Sequence, residues 1–365
     1  MNIPFLSLKK LNQTYEEDFK TAFNSFLEKG YYMLSENVLK FEHEFAEFCE
    51  SKYCVGVANG LDALELILDS LNGDANREVI VPANTYYATI LSILNVGLKP
   101  ILVEPDLDTY LISLLEVEKA INKNTVAILA VNLYGRMCDF DALHSLAKKH
   151  NLKLFVDAAQ SHGAVFNASK DCSNADAVAY SFYPTKNLGA LSDAGAVVTN
   201  SQKTAELIRA KRNYGSDIKY QFEHRGKNSR LSELQAAFLS VKLKHLKSEL
   251  KIRRKIAARY LTEIRNERLI LPPNDRIEQD AWHLFVIRTE NRAQLLLHLK
   301  SNGVGYDIHY PTPPHKQNAL KDFNQLSFPI TEKIHETILS IPLNPTLMDD
   351  EVSYIIKTLN SYRDV

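Results

Sequence analysis

Apolar residues recur every three or four positions across residues 13–29 and 36–50. Phe19, Phe23 and Phe26 fall on one stripe of the first segment, and Phe41, Phe45 and Phe48 on one stripe of the second. This spacing predicts two amphipathic helices with core-facing aromatics. From Tyr53 the period changes. Short apolar runs, YCVGV, EVIVP, KPILVE, TVAILAVNLYG, LKLFVD, ADAVAY and AVVT, read as buried strands. Helical stretches separate most of them: ALELILDSL, a segment opening after residues 83–87, then 114–121 and 140–150, with 202–212 after the last run. Such alternation predicts a mostly parallel sheet covered by helices on both faces. A long helix is expected from 231 to about 264. Its basic residues, Lys242 and Arg253 among them, alternate with apolar ones and read as a solvated face. Beyond LPPND at 271–275 the texture is that of a smaller α+β unit, with a strand WHLFVIRT, a helix over 292–302 and a terminal helix after Met348. The expected division is a large α/β domain, 1–248, and a small C-terminal domain, 249–365.

Three loops stand out. GYYMLS, between the first two helices, brings two adjacent tyrosines that can approach a pocket. The polar segment NYGSDIKYQFEHRGKNSR is long enough to suggest a task, such as contact with a partner subunit. Residues 305–315, GYDIHYPTPPH, pack two histidines and two tyrosines into a proline-stiffened loop, a poor place for a core and a good one for ligand contact.

Composition narrows the class. With 365 residues, 45% hydrophobic and 24% charged, the chain reads as an ordinary soluble globular protein. A net charge of −1 offers no footprint for nucleic acid or an anionic membrane, and no apolar run approaches membrane-spanning length. The four cysteines show no metal-site spacing, and the N-terminus lacks a signal-peptide core, so a cytoplasmic protein with reduced thiols is expected. No GxGxxG follows a strand, so the dinucleotide fingerprint is missing.

The chemistry concentrates at two strand ends. Lys186 lies after the strand ADAVAY on a loop with Pro184, Gly189 and Gly195. Asp157 ends the strand LKLFVD, where a parallel sheet delivers side chains to a ligand crevice. Taken singly, the first reads as a solvated loop lysine and the second as a turn former or helix cap. Together they match what pyridoxal phosphate requires: an amine to hold its aldehyde as a Schiff base, and a carboxylate to keep the ring nitrogen protonated. Gly60, opening a helix, can present N–H groups to an anion, and Tyr86 at another strand–helix junction can stack on a flat ring.

With these residues in view, the chain resembles the DegT/DnrJ/EryC1/StrS family of sugar aminotransferases, through PANTYYAT, VDAAQSHGA, SFYPTKNLGAL, GKNSRLSELQAA and IHYPTPPHKQ. The resemblance implies an aspartate-aminotransferase-like α/β fold of pyridoxal-phosphate fold type I. It implies that Lys186 is the Schiff-base lysine and Asp157 the partner of the ring nitrogen. It also implies that Gln160 approaches the ring hydroxyl, that Tyr86 stacks on the ring, and that Ser181 with the backbone of Gly60 and Leu61 holds the phosphate. Asn228 is expected to reach that phosphate from the second subunit of a homodimer with shared active sites. The sequence departs from the family in Leu61, where threonine is frequent, and in Ser192-Asp193-Ala194-Gly195, where GDGG is frequent. Similarity to one subgroup implies transfer of the amino group of L-glutamate to carbon 3 of a dTDP-linked 3-keto-6-deoxyhexose. The product is a dTDP-3-amino-3,6-dideoxyhexose for surface polysaccharide, with the galacto or gluco epimer left open. Tyr183, Lys219, His309, Tyr310 and His315 are the expected substrate contacts. Amination of a 4-keto nucleotide sugar and a non-catalytic, cofactor-binding regulatory role are the alternatives. A sugar dehydratase is disfavoured by Lys186, which that branch replaces with histidine.

Overall fold

The computed structural model describes residues 1–71, 74, 76–167, 170, 174–218 and 220–363. Helices α1 (Leu8–Gln13), α2 (Glu16–Lys29) and α3 (Glu36–Phe48) precede the alternating region. That region runs β1 (Tyr53–Val57), α4 (Gly60–Asp69), β2 (Glu78–Pro82), α5 (Tyr87–Asn95), β3 (Lys99–Val103), α6 (Leu114–Ala120), β4 (Thr125–Val131), α7 (Phe140–Lys149) and β5 (Lys153–Asp157). It continues through β6 (Ala177–Ser181), β7 (Gly195–Thr199) and α8 (Gln202–Lys211) into α9 (Glu233–Glu263). Then follow β8 (Phe285–Arg288), α10 (Arg292–Ser301), α11 (Pro329–Thr337), β9 (Ile338–Ile341) and α12 (Asp349–Ser361).

Seven strands form one sheet in the order β1-β7-β6-β5-β4-β2-β3. Alternate residues of each strand enter different cores: Ile80 faces the cluster with Phe41 and Phe45 of α3, while Val79 and Val81 face the one with Ile67 of α4 and Ile90 of α5. Both faces are therefore apolar, as a helix-covered parallel sheet requires. Only β7 runs against its neighbours. It follows β6 through a loop at 182–194, which is fastened to itself by Phe182 N–H to Ala194 O and Ala190 N–H to Phe182 O, both 2.8 Å. The other six strands all point one way, so the C-terminal ends of β1, β2, β4, β5 and β6 gather at one edge, the edge that binds ligands in open α/β sheets.

The second sheet pairs β8 with β9 antiparallel over a core of Tyr260, Phe285, Leu295 and Ile355. The helix at 329–337 and strand β9 were not foreseen from sequence. The expected boundary at 248/249 falls inside α9, whose Leu246 and Leu250 join the large core and whose Ile256 and Tyr260 join the small one. The small unit also takes in the start of the chain. Ile3 is buried in its core and pairs with Val304, its N–H donating to Gly303 O at 2.8 Å.

Burial corrects two other expectations. On α2 only Phe19 is buried, against Phe238 of α9, while Phe23 is 41% exposed. On α9 Lys242 and Arg253 are buried rather than solvated, Lys242 Nζ donating to Gly189 O at 2.7 Å under the 182–194 loop. Among the described residues no helix is long and apolar enough to cross a membrane.

Candidate active site

The strand ends enclose a cavity of about 480 Å³, lined at its centre by Lys186 and Asp157. Asp157 terminates β5 between β4 and β6 and is only 7% exposed. Thr89 Oγ1 of α5 donates to its Oδ2 at 2.8 Å, and Ala159 N–H donates to Oδ1 at 3.1 Å. Thr85 and Thr89 hydroxyls lie 2.8 Å apart, so the carboxylate ends a short relay of side chains. Burial pushes the Asp157 carboxyl above its ordinary range, against the pull of these donors and of Lys186. Lys186 N–H donates to Tyr183 O at 2.8 Å, a turn that presents the side chain to the cavity. Loss of water lowers its ammonium to about 8, with Asp157 working the other way. The two groups are thus a buried acid and a half-buried amine whose environments shift them toward neutral pH, as catalytic pairs require.

His283 extends this centre and was not anticipated. Asn187 Nδ2 donates to Ala281 O at 2.8 Å, which leaves Asn187 Oδ1 as acceptor for His283 Nδ1 at 3.3 Å. Burial and the Lys186 charge hold the imidazole neutral. Its proton is therefore on Nδ1 and its lone pair on Nε2. The signal for this residue is tertiary, since His283 lies almost a hundred positions from Lys186.

One end of the cavity is an anion cradle. Asn59 caps α4 by accepting from Asp62 N–H at 2.8 Å, and Ala63 N–H donates to Asn59 O. The first-turn N–H groups of Gly60 and Leu61 remain for a ligand, at the positive end of the helix dipole. Ser181 stands beside them: a Cβ on Gly60 would meet Ser181 Cβ at 2.6 Å, and one on Gly195 would meet Asn59 backbone at 2.4 Å. Only glycine fits at either position, so the strand end and the helix start close around a small volume. The hydroxyl and the two N–H groups suit a phosphate. The absent threonine at 61 leaves Leu61 as an apolar part of the lining. Asp193, in the divergent Ser192–Gly195 stretch, lines the cavity as well.

The opposite wall comes from the small unit. Tyr310 packs on Tyr86 with ring centroids 5.0 Å apart, and its hydroxyl accepts from Gln160 Nε2 at 3.1 Å. Gln160 Oε1 accepts from Tyr134 N–H at 2.6 Å, and the Tyr134 hydroxyl donates to His309 O. His309 Nδ1 meets Ser340 Oγ at 2.9 Å on β9, so the second sheet orients the histidine. Tyr183, three residues before Lys186, is 52% exposed on the cavity rim.

Most of the residues expected from sequence meet here: Lys186, Asp157, Gly60, Leu61, Tyr86, Gln160, Ser181, Tyr183, His309 and Tyr310 all line the cavity. His315 does not. It is fully buried, packs on Phe328 and pairs with Glu332 Oε1 at 3.0 Å, so the proline-rich loop uses it to fasten the small unit, not to meet a ligand. Tyr31 and Tyr32 point to solvent away from the cavity. Asn228 is exposed and bridges to Asn213, outside its own chain's cavity. Lys219 lies outside the described residues.

This arrangement fits pyridoxal phosphate on the chemistry of its donors: a glycine-walled anion cradle, a buried carboxylate, a softened amine and an aromatic wall in one cavity. Comparison with known proteins agrees. The profile of the DegT/DnrJ/EryC1/StrS aminotransferase family matches residues 13–360. The chain is 46% identical over 360 residues, 99% of each chain, to the dTDP-3-amino-3,6-dideoxy-α-D-galactopyranose transaminase of Aneurinibacillus thermoaerophilus. The crystal structure of Streptomyces venezuelae DesV superposes over 100% of both chains with a TM-score of 0.97 at 39% identity. NtdA of Bacillus subtilis, crystallised with bound cofactor PMP, matches 98% of this chain and 84% of its own at TM-score 0.92 and 29% identity.

Proposed function

Because the chain belongs to the DegT/DnrJ/EryC1/StrS aminotransferase family of pyridoxal-phosphate enzymes, we propose that it moves the amino group of L-glutamate to carbon 3 of a dTDP-linked 3-keto-6-deoxyhexose. The product is then a dTDP-3-amino-3,6-dideoxyhexose, of the galacto series named for the A. thermoaerophilus relative. Its destination in this reading is surface polysaccharide. The reaction belongs in the cytoplasm, a compartment suited to the buried thiols of Cys49, Cys54 and Cys138. The observation that carries the proposal is the pair of Asp157 and Lys186 in one cavity.

When bound, pyridoxal phosphate supplies an electron sink for the pair of electrons left when a carbon loses its proton. The chain's residues do the rest. Gly60, Leu61 and Ser181 would hold the phosphate, Tyr86 would cover the ring and Gln160 would address its hydroxyl. Asp157, fixed by Thr89 and Ala159, keeps a negative charge where the ring nitrogen needs one. Lys186 Nζ takes the proton from the α-carbon of the amino donor and later delivers one to carbon 3 of the sugar, a role its shift to about 8 suits near neutral pH. Tyr183, His309 and Tyr310 border the space left for the hexose.

The test is amine formation on a panel of dTDP- and UDP-linked 3-keto and 4-keto sugars with glutamate. The 3-keto dTDP sugar should react best. Tyr183→Phe should lower kcat/KM for it about tenfold, the worth of one hydrogen bond, while the half-reaction with glutamate persists. Preference for a 4-keto substrate, or equal loss in both half-reactions, would reject the sugar assignment.

In the same reading the enzyme is a homodimer with composite sites. Phe23, Leu27, Tyr31, Tyr32 and Met33 form a run of exposed apolar side chains, and Tyr220 and Phe222 near Asn228 are exposed too, as self-association surfaces are. Inactive Lys186→Ala and Asn228→Ala chains, mixed and allowed to exchange, should recover part of the native rate. Exchange without recovery would show that each chain completes its own site.

A further inference from the structure

Strand β4 runs into the turn Leu133–Gly135, whose central residue has a costly backbone. Tyr134 sits at φ 60° and ψ 5°, the left-handed region that disfavours any residue with a β-carbon. Such strain persists only where the surroundings over-determine it. Here they do. Tyr134 N–H donates to Gln160 Oε1 at 2.6 Å, Leu284 N–H donates to Tyr134 O at 3.2 Å, and Ala281 N–H donates to Gly135 O at 2.8 Å. The Tyr134 side chain is buried and meets Tyr110 edge-on, with ring centroids 5.4 Å apart. A Cβ on Gly135 would meet the backbone nitrogen of His283 at 2.7 Å, so the turn is seated directly on the segment that carries His283.

The Tyr134 hydroxyl points from this junction to the small unit, where it donates to His309 O. Burial pushes the phenol well above its ordinary range, so it remains a donor at any working pH. Two other holds on the same loop come from the small unit itself. Ser340 Oγ of β9 meets His309 Nδ1 at 2.9 Å, and His335 of α11, kept neutral by burial, donates from Nδ1 to Tyr310 O at 2.8 Å. Among the described residues, hydrogen bonds from the large unit reach His309 and Tyr310 through Tyr134 and Gln160, and Tyr134 also fixes Gln160. Tyr134 does not line the cavity, although Leu133 before it does. It acts through residues that do.

We propose that Tyr134 is a positioning residue for the sugar half-reaction: its N–H holds Gln160 on the cofactor side, and its hydroxyl sets where His309 stands on the sugar side. The proposal rests on the reading of His309 as a sugar contact. The two ends of the residue are separable. Losing the hydroxyl frees the wall that meets the keto sugar and leaves the group that addresses the cofactor in place.

Tyr134→Phe makes that separation, because it keeps the ring and the N–H and removes the hydroxyl alone. With the pyridoxamine-phosphate-loaded variant, kcat/KM for the keto sugar should fall about tenfold, the scale of one lost hydrogen bond. The half-reaction with glutamate and the absorbance band of the cofactor-loaded enzyme should stay native, since Gln160 retains its donor. In a His309→Gln background the same change should cost less than about twofold, because the group it positions is gone. A second readout needs no sugar. The sequence contains one His-Tyr step, His309–Tyr310, so labelling histidine carbonyl carbon and tyrosine nitrogen marks that single peptide for NMR. Its carbonyl resonance should move upfield in Tyr134→Phe, as an acceptor that loses its donor is less deshielded. Equal losses in both half-reactions, or an undiminished rate with the keto sugar, overturns the proposal. An unmoved carbonyl overturns it whatever the enzyme aminates. A moved carbonyl, with a selective loss on a keto acceptor that is not a nucleotide sugar, keeps the positioning role and rejects the sugar reading.

Discussion

Lys186→Ala should lose at least about a thousandfold in steady-state transamination, because the variant lacks the group that moves protons between donor and acceptor carbons. Binding of the cofactor's phosphate should survive, since the cradle of Gly60, Leu61 and Ser181 is untouched. The native enzyme adds a pH signature. Only a neutral amine attacks an aldehyde, and burial lowers Lys186 to about 8. The rate at which cofactor-free enzyme takes up pyridoxal phosphate should therefore rise with pH and level off just above 8, about two units before an unperturbed lysine would. Stopped-flow absorbance measures both effects. Near-normal multiple turnover in Lys186→Ala, or an uptake rate still climbing at pH 10, would remove the lysine from its role.

Asp157→Asn should be the next most damaging change. The amide keeps the shape; its Oδ1 can still accept from Ala159 N–H while its Nδ2 donates to the Thr89 hydroxyl, so the fold should hold. What disappears is the negative charge facing the cofactor ring. Breaking a buried ion pair costs on the order of 3–5 kcal/mol, shared between weaker cofactor binding and slower proton removal. Dialysis against buffer should strip cofactor from this variant faster than from native enzyme, and single-turnover rates with glutamate should fall by two orders of magnitude or more. Unchanged retention and rate would make Asp157 a structural cap of β5.

The sequence made the two ends of this chemistry visible because both sit on strand ends. Asp157 and Lys186 each follow an apolar run, and the alternation around them dictates where parallel strands finish. What it could not show depended on packing between distant segments. Thr89 reads as one more residue of a helix, and nothing local marks its bond to Asp157. His283 lies in a run that reads as strand; the approach to Asn187 that fixes its tautomer is visible only in three dimensions. Arg253 was lost in a basic stripe, since charge patterning cannot tell a cation facing water from one facing carbonyls. His315 misled in the opposite direction: a proline-stiffened loop brings His309 and Tyr310 to the cavity, but the short helical turn at Pro314–Lys316 sends the next histidine into the protein. The four-residue run at Ile338–Ile341 was too short to stand out, though it supplies the Ser340 that orients His309.

The pairing of Ile3 with Val304 has a consequence for how the chain is made. Synthesis proceeds from the N-terminus, so Ile3 leaves the ribosome about three hundred residues before its neighbour exists. The seven-stranded sheet can form in that interval, because all its strands lie before residue 200. The core beneath the second sheet takes Ile3 from early in the sequence and Ile355 and Leu359 from late in it, and it needs Ile256 and Tyr260 from a helix already anchored to the first sheet. A fragment starting at residue 249 should therefore stay molten, and adding the peptide 1–12 in trans should raise its hydrogen-exchange protection. His309 hangs on β9, so a nascent chain acquires its half of the substrate wall last. Catalytic competence is gained only once Ile3 and Val304 have met.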